Sequence, residues 1–211
     1  MKKRINLFPD ECAHSAYRID YQYYSDKGYK GVIYDIDNTL VAHDAPADDR
    51  ARALFRKLSR IGMQAALVSN NEPPRVEMFN RDIGAVTVCR AAKPLAGGYE
   101  KAMERMGTDQ KSTLVVGDQL FTDIWGANRC GLHSILVRRT TFHEPFHVHL
   151  KRLAEAPVML IWNLFFRKEA VQIRRVSAED TGKKEGSEKI AADKSNTGGS
   201  RTKARSGNPD K

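Results

Sequence analysis

The stretch Gly31-Val32-Ile33-Tyr34-Asp35-Ile36-Asp37-Asn38-Thr39-Leu40 decides the fold of this chain. Its first half is a short apolar run with the composition of a buried strand, and acid begins where that run ends. Side chains alternate along an extended chain, so Asp35 and Asp37 leave the strand on the same side. Two carboxylates held there repel each other unless a divalent cation sits against them or one carries a proton. A calcium loop of the form D-x-D-x-D-G is excluded, because Thr39 and Leu40 stand where a third oxygen ligand and the turn glycine belong. On this stretch alone, a solvated turn after a strand stays open as the alternative.

Three more strand ends narrow the choice. Leu114-Val115-Val116 leads into Gly117-Asp118-Gln119, with Asp123 expected in the first turn of the helix that follows. Residues 65–68 end in Ser69-Asn70-Asn71, which offers a hydroxyl, amides and backbone N–H groups. Lys93-Pro94 follows the next apolar run and brings an ammonium to the same edge. Carboxylates for a hard cation, a hydroxyl and a lysine together make a phosphate site: cation and lysine neutralise phosphoryl oxygens beside an oxygen nucleophile.

The surrounding pattern agrees. Short β-branched runs at 31–36, 64–69, 85–89, 112–117 and 134–138 alternate with helix-like stretches at 47–60, 73–81, 95–106 and 121–130. In the first of these, Ala51, Leu54, Phe55, Leu58 and Ile61 fall at helical spacing and mark a buried stripe. Such alternation predicts an α/β fold, a Rossmann-like parallel sheet flanked by helices, in which ligands bind at the carboxyl ends of the strands.

Asp35-x-Asp37-x-Thr39, then Ser69, Lys93 and Gly117-Asp118-x4-Asp123, resembles the four-motif signature of the haloacid-dehalogenase (HAD) superfamily over roughly residues 28–140. Leu-Phe-Pro-Asp at 7–10, Asp-Asn-Thr-Leu at 37–40, Ser-Asn-Asn at 69–71 and Ala-x-Lys-Pro at 91–94 resemble the YqeG-like subfamily IIIA phosphatases, as does Gly-Asp-Gln-x-x-Thr-Asp-Ile-x-Gly-Ala-Asn at 117–128. That family includes organellar relatives that dephosphorylate phosphatidylglycerophosphate. The resemblance implies Asp35 as a nucleophile forming an aspartyl-phosphate and Asp37 as the acid and then the base. It implies Mg2+ held by Asp35, the backbone carbonyl of Asp37, Asp118 and Asp123, and a phosphoryl group held by Ser69 and Lys93, with Asn70 among the substrate contacts. An acid at position 37 favours a hydrolase over family members that keep their aspartyl-phosphate.

HAD enzymes usually carry a cap domain. Here residues 41–46 and 71–92 leave no room for one, which implies an open site suited to a large substrate such as a lipid headgroup. The expectation is therefore a Mg2+-dependent phosphomonoesterase acting on phosphatidylglycerophosphate. Its alternatives are an HAD phosphatase on a nucleic acid end, phosphometabolite or phosphoprotein, and a phosphate-binding regulatory module without turnover.

The division expected is an N-terminal extension at 1–27, a phosphatase domain at 28–176 and a disordered polar tail at 177–211, where Ile190 is the only large apolar residue. Within 150–176, the run Val158-Met159-Leu160-Ile161-Trp162-Asn163-Leu164-Phe165-Phe166 is flanked by Arg and Lys. It reads either as a core helix or as an element lying on an anionic membrane. His143-Glu144-Pro145-Phe146-His147 matches a zinc-protease string, but Pro145 forbids the helix that string requires. Arg138 and Arg139 follow the last strand and are open to substrate anions or to solvent.

The 211 residues carry 35 Lys+Arg against 26 Asp+Glu, a net +9 that suits anionic partners. Nucleic acid is not expected, since no zinc-finger, RNP-type or helix-turn-helix signature accompanies the charge. Cys12, Cys89 and Cys130 form no CxxC pair, which argues against a disulfide framework or structural zinc. Met1-Lys2-Lys3-Arg4 runs into Pro9-Asp10-Glu11 rather than an apolar stretch, and no apolar run reaches the ~18 residues of a spanning helix. A cytoplasmic location, with peripheral contact at the inner face of the membrane, is the expectation.

Overall fold

The computed structural model describes residues 7–138. Six strands form one sheet: β1 (Glu11–Ala13), β2 (Gly31–Tyr34), β3 (Gln64–Val68), β4 (Val86–Val88), β5 (Thr113–Gly117) and β6 (His133–Val137). Their order is β1-β6-β5-β2-β3-β4, and every neighbouring pair is parallel. The Rossmann-like expectation is met. β2 lies inside the sheet between β3 and β5, so the acidic run that follows it emerges beside the ends of both.

A parallel sheet covered on both faces needs strands that are apolar throughout, and β2 and β5 are buried along their whole length. Alternation sends Val32, Tyr34, Leu114 and Val116 to one face, where they pack with Leu54 and Leu58 of α2 (Asp49–Arg60) and Val76 and Phe79 of α3 (Pro73–Asn80). Ile33, Val68 and Val115 go to the other, against Tyr99, Ala102 and Met103 of α4 (Gly97–Met106) and Ala127 of α5 (Trp125–Arg129). Each buried Val, Leu, Ile, Phe or Met side chain among these contributes about 1.5–3 kcal/mol of transfer free energy. α2 starts where Asp48 accepts a hydrogen bond from Ala51 N at 2.8 Å, an N-cap that satisfies a backbone N–H left over at the helix start.

Two elements differ from expectation. The stretch 121–130 is not one helix. Leu120–Ile124 forms a π-helical turn in which Ile124 N reaches back to Gln119 O, and α5 follows it. The wider turn lets Gln119 N donate to the Asp123 carboxylate at 3.1 Å, tying that side chain to the end of β5. Residues 11–26, read as part of an extension, carry β1, a 3-10 turn at Ala16–Arg18 and the helix α1 (Tyr21–Asp26).

β1 is the edge strand beside β6. It is pinned where Ser134 N donates to Asp10 Oδ2, and where Glu11 takes hydrogen bonds from Tyr24 OH at one oxygen and meets His133 Nε2 at the other, both at 2.8 Å. Glu11 and His133 open their strands, so this partly buried cluster marks the amino ends of β1 and β6.

The loop between β2 and α2 and the α3–β4 segment between β3 and α4 contain no further domain. Among the described residues, no helix is long and apolar enough to cross a membrane. Arg139, the 143–147 string, the 150–176 segment and the 177–211 tail lie outside the described residues.

Candidate active site

The carboxyl ends of β2, β3 and β5 supply the site, together with the turn after β4. Asp35 leaves β2, and its backbone N still bonds Val116 O at 3.2 Å, holding the first acidic residue against β5. The chain then turns sharply. Leu40 N and Val41 N both reach back to Ile36 O, Asn38 N bonds Val41 O at 2.7 Å, and Asn38 adopts a left-handed φ of 64°. Asparagine is one of the residues that tolerates this conformation at low cost.

Lys93 sits between two carboxylates. Its Nζ is 2.6 Å from Asp35 Oδ1 and 2.7 Å from Asp123 Oδ1, and its side chain is 4% exposed. Asp118 joins this pair, and Asp35, Asp118 and Asp123 bring carboxylate oxygens within 4.8 Å of one another. Thr39 Oγ1 donates to Asp118 Oδ1 at 3.4 Å. Burial pushes the Asp35 carboxyl up to about 6, with Lys93 opposing the rise and Asp123 and Asp37 adding to it. Burial also works against the charge on Lys93, but Asp123 and Asp35 outweigh it and hold the ammonium above its ordinary range.

One lysine against three carboxylates leaves two negative charges. Buried oxygens in that number, close together and in excess of their cation, fit a hard divalent ion.

Glycine at the end of β5 makes this packing possible. A Cβ on Gly117 would stand 2.4 Å from Asp123 Cβ, so only glycine lets the carboxylate lie over the strand end. From the other side, Tyr99 OH donates to Thr122 O at 3.0 Å and steadies the turn that carries Asp123.

Ser69 is 2% exposed, and its Oγ accepts from Asn71 N at 3.2 Å. Asn70 is committed to backbone. It accepts from Lys93 N at 2.7 Å and donates to Lys93 O at 3.3 Å, which braces the loop after β3 against the turn that holds the lysine. Arg138 lies just past β6 and is exposed.

The side chain of Asp37 belongs to a separate group. Its Oδ1 is 2.7 Å from Arg75 Nη2 and accepts from Asp44 N at 3.0 Å, while Asn71 Nδ2 donates to its Oδ2. His43 Nδ1 stands 3.7 Å away. Asn71, Arg75 and His43 were not among the expected site residues. A signal for Arg75 existed: Pro73-Pro74 place it in the first turn of the helix that begins just past β3, at the carboxyl edge of the sheet.

A HAD-hydrolase-like family model matches residues 90–160. The chain is 33% identical over 160 residues to a protein of Bacillus subtilis named probable phosphatase YqeG, covering 75% of this chain and 92% of that one. The chain belongs to the YqeG-like HAD phosphatases. Membership makes it a phosphoric monoester hydrolase with a phosphorylated substrate. Two further relatives of this YqeG-like chain are named phosphatidylglycerophosphate phosphatase 1. The Arabidopsis thaliana protein is 27% identical over 173 residues, 77% of this chain and 50% of that one. The Chlamydomonas reinhardtii protein is 29% identical over 168 residues, 74% of this chain and 62% of that one. This YqeG-like chain therefore spans only about half to three-fifths of these two relatives.

Proposed function

We propose that the chain is a Mg2+-dependent phosphomonoesterase that works through an aspartyl-phosphate and acts on phosphatidylglycerophosphate. The observation that carries the chemistry is Lys93 held between Asp35 and Asp123, with Asp118 beside them. Asp35, Asp118, Asp123 and the carbonyl of Asp37 hold the cation, which when bound neutralises phosphoryl oxygens. Lys93 and Ser69 hold the same oxygens from the protein side, and Asn70 keeps Lys93 in register with the loop after β3.

Asp35 attacks phosphorus as the ester P–O bond breaks, and Asp37 gives its proton to the leaving oxygen. Asp37, now a carboxylate, then takes a proton from water. The water oxygen attacks phosphorus, the bond to Asp35 breaks, and inorganic phosphate leaves with Asp35 restored.

For the substrate, the support is the relatives' names together with an edge that no inserted domain covers in the connections after β2 and β3. A bilayer headgroup needs that access. The test is phosphate release from phosphatidylglycerophosphate in mixed micelles, with and without Mg2+, beside an aryl phosphate and an Asp35→Asn variant. Release that needs Mg2+ and Asp35 and strongly favours the lipid is expected. Equal or better turnover of the aryl phosphate discards the lipid, and full activity in Asp35→Asn discards the mechanism.

A further inference from the structure

Arg75 has no part in the assignment above, yet it lies at the centre of the second polar group. Its side chain is 10% exposed, and a guanidinium so far from water is costly unless its donors are matched. Among the described residues only Nη2 has a close partner, Asp37 Oδ1 at 2.7 Å. Nε stands 3.6 Å from Asp44 Oδ1, and among the described residues neither Nε nor Nη1, both buried, has a hydrogen-bond partner. The protein thus tolerates two orphaned donors in order to keep one bond to Asp37.

With Nε and Nη1 buried and Nη2 already bonded to Asp37, the Arg75 guanidinium faces the protein rather than open solvent. Its position is set locally: Pro73 and Pro74 fix the start of α3, and Arg75 N closes the first turn on Glu72 O at 3.1 Å. From there Arg75 takes one oxygen of Asp37, and Asn71 takes the other. Asp44 N also donates to Oδ1, but one backbone N–H alone leaves a carboxylate two residues from Asp35 freer to turn toward the cation that the neighbouring carboxylates attract.

We propose that Arg75 is a positioning residue: with Asn71 it holds the Asp37 carboxyl apart from the Asp35–Asp118–Asp123 group and in reach of the leaving oxygen. The proposal rests on the phosphatase reading of this site. It predicts that Arg75 matters only as far as Asp37 matters.

The experiment compares wild type, Asp35→Asn, Asp37→Asn, Arg75→Ala, Arg75→Lys and the Asp37→Asn/Arg75→Ala double variant in Mg2+. Each is measured on an alkyl phosphomonoester, whose departing oxygen needs a proton, and for first-turnover phenol release from 4-nitrophenyl phosphate, whose departing oxygen does not. Arg75→Ala is expected to lower kcat on the alkyl ester about 100-fold with KM within about threefold, and first-turnover phenol release less than about tenfold. Arg75→Lys should recover at least about tenfold of the alkyl-ester loss, since an ammonium can keep one contact to Asp37. In the Asp37→Asn background, Arg75→Ala should cost less than about twofold.

Equal losses on both substrates with a raised KM make Arg75 a substrate contact and overturn the proposal. So does an unchanged or increased rate, or a full second loss in the Asp37→Asn background. Should Arg75→Ala not fold, Arg75→Lys against Asp37→Asn/Arg75→Lys carries the same comparison. Full activity in Asp35→Asn sinks the reading of the site itself, whereas loss in Asp35→Asn with a leaving-group-independent effect at Arg75 sinks only the positioning role.

Discussion

Lys93 Nζ stands 2.7 Å from Asp123 Oδ1, which joins the turn after β4 to the turn after β5 across the mouth of the sheet. Both side chains are almost wholly buried, so neither charge has water as a fallback. The pair is therefore structural and chemical at once.

Replacing Lys93 separates the two roles by size. Lys93→Met leaves three close carboxylates without their internal cation. Breaking a buried pair in this way costs about 3–5 kcal/mol, and losing a donor to the phosphoryl group costs about 100- to 1,000-fold in kcat. Denaturant unfolding without added metal measures the first, and Mg2+-saturated turnover of an aryl phosphate measures the second. A melting point and kcat both close to wild type would contradict this account of the site.

Ion-free protein should also show a pH signature. The Asp35 carboxyl is raised from 3.8 to about 6, so between those values the folded chain binds the proton more tightly than the unfolded one. Stability from this group is then fully present below about pH 4 and is lost as pH rises through 6, at up to about 1.4 kcal/mol per pH unit. Unfolding titrations in chelator from pH 4 to 7 should show this downward slope, and Asp35→Asn should flatten it. Saturating Mg2+ should flatten it too and raise the melting point, by about 2.7 kcal/mol of stabilisation at a hundredfold excess over Kd.

Gly117 is the third test. In Gly117→Ala the new methyl meets Asp123 Cβ at 2.4 Å, so the carboxylate or the strand end must move. Overpacking of this kind costs about 1–3 kcal/mol, and displaced ligation costs about 10- to 100-fold in metal affinity. Calorimetric Mg2+ titration beside a thermal melt reads both. Unchanged metal affinity would show that Asp123 does not need its place over β5.

The placement of Asp35, Asp37, Asp118 and Lys93 at the carboxyl edge was legible in the sequence because polar residues interrupt apolar runs at strand ends, and a parallel sheet gathers those ends at one edge. β1 was not. Glu-Cys-Ala is too short for alternation and has no β-branched residue, and its place depends on Asp10 and Glu11 meeting Ser134 and His133 more than a hundred positions away. The π-helical turn escaped for a related reason: helical periodicity cannot tell a widened turn from a regular one over five residues. Pro73-Pro74 place Arg75 at the carboxyl edge, but in sequence it still looks like one more charge on a solvated helix face. Only the meeting of α3 with the loop after β2 shows that its charge is turned inward toward Asp37.

The Glu11–Tyr24–His133 cluster stands at the amino ends of β1 and β6, whereas every proposed catalytic group stands at the carboxyl end of the sheet. The cluster ties β1 to β6, whereas the site draws on the ends of β2, β3 and β5 and the turn after β4, and well-separated sites of this kind change free energy nearly independently. The chain thus has two separately adjustable regions. Changes at the amino end can then raise or lower heat resistance while leaving turnover alone, whereas at Lys93 the two stay bound together.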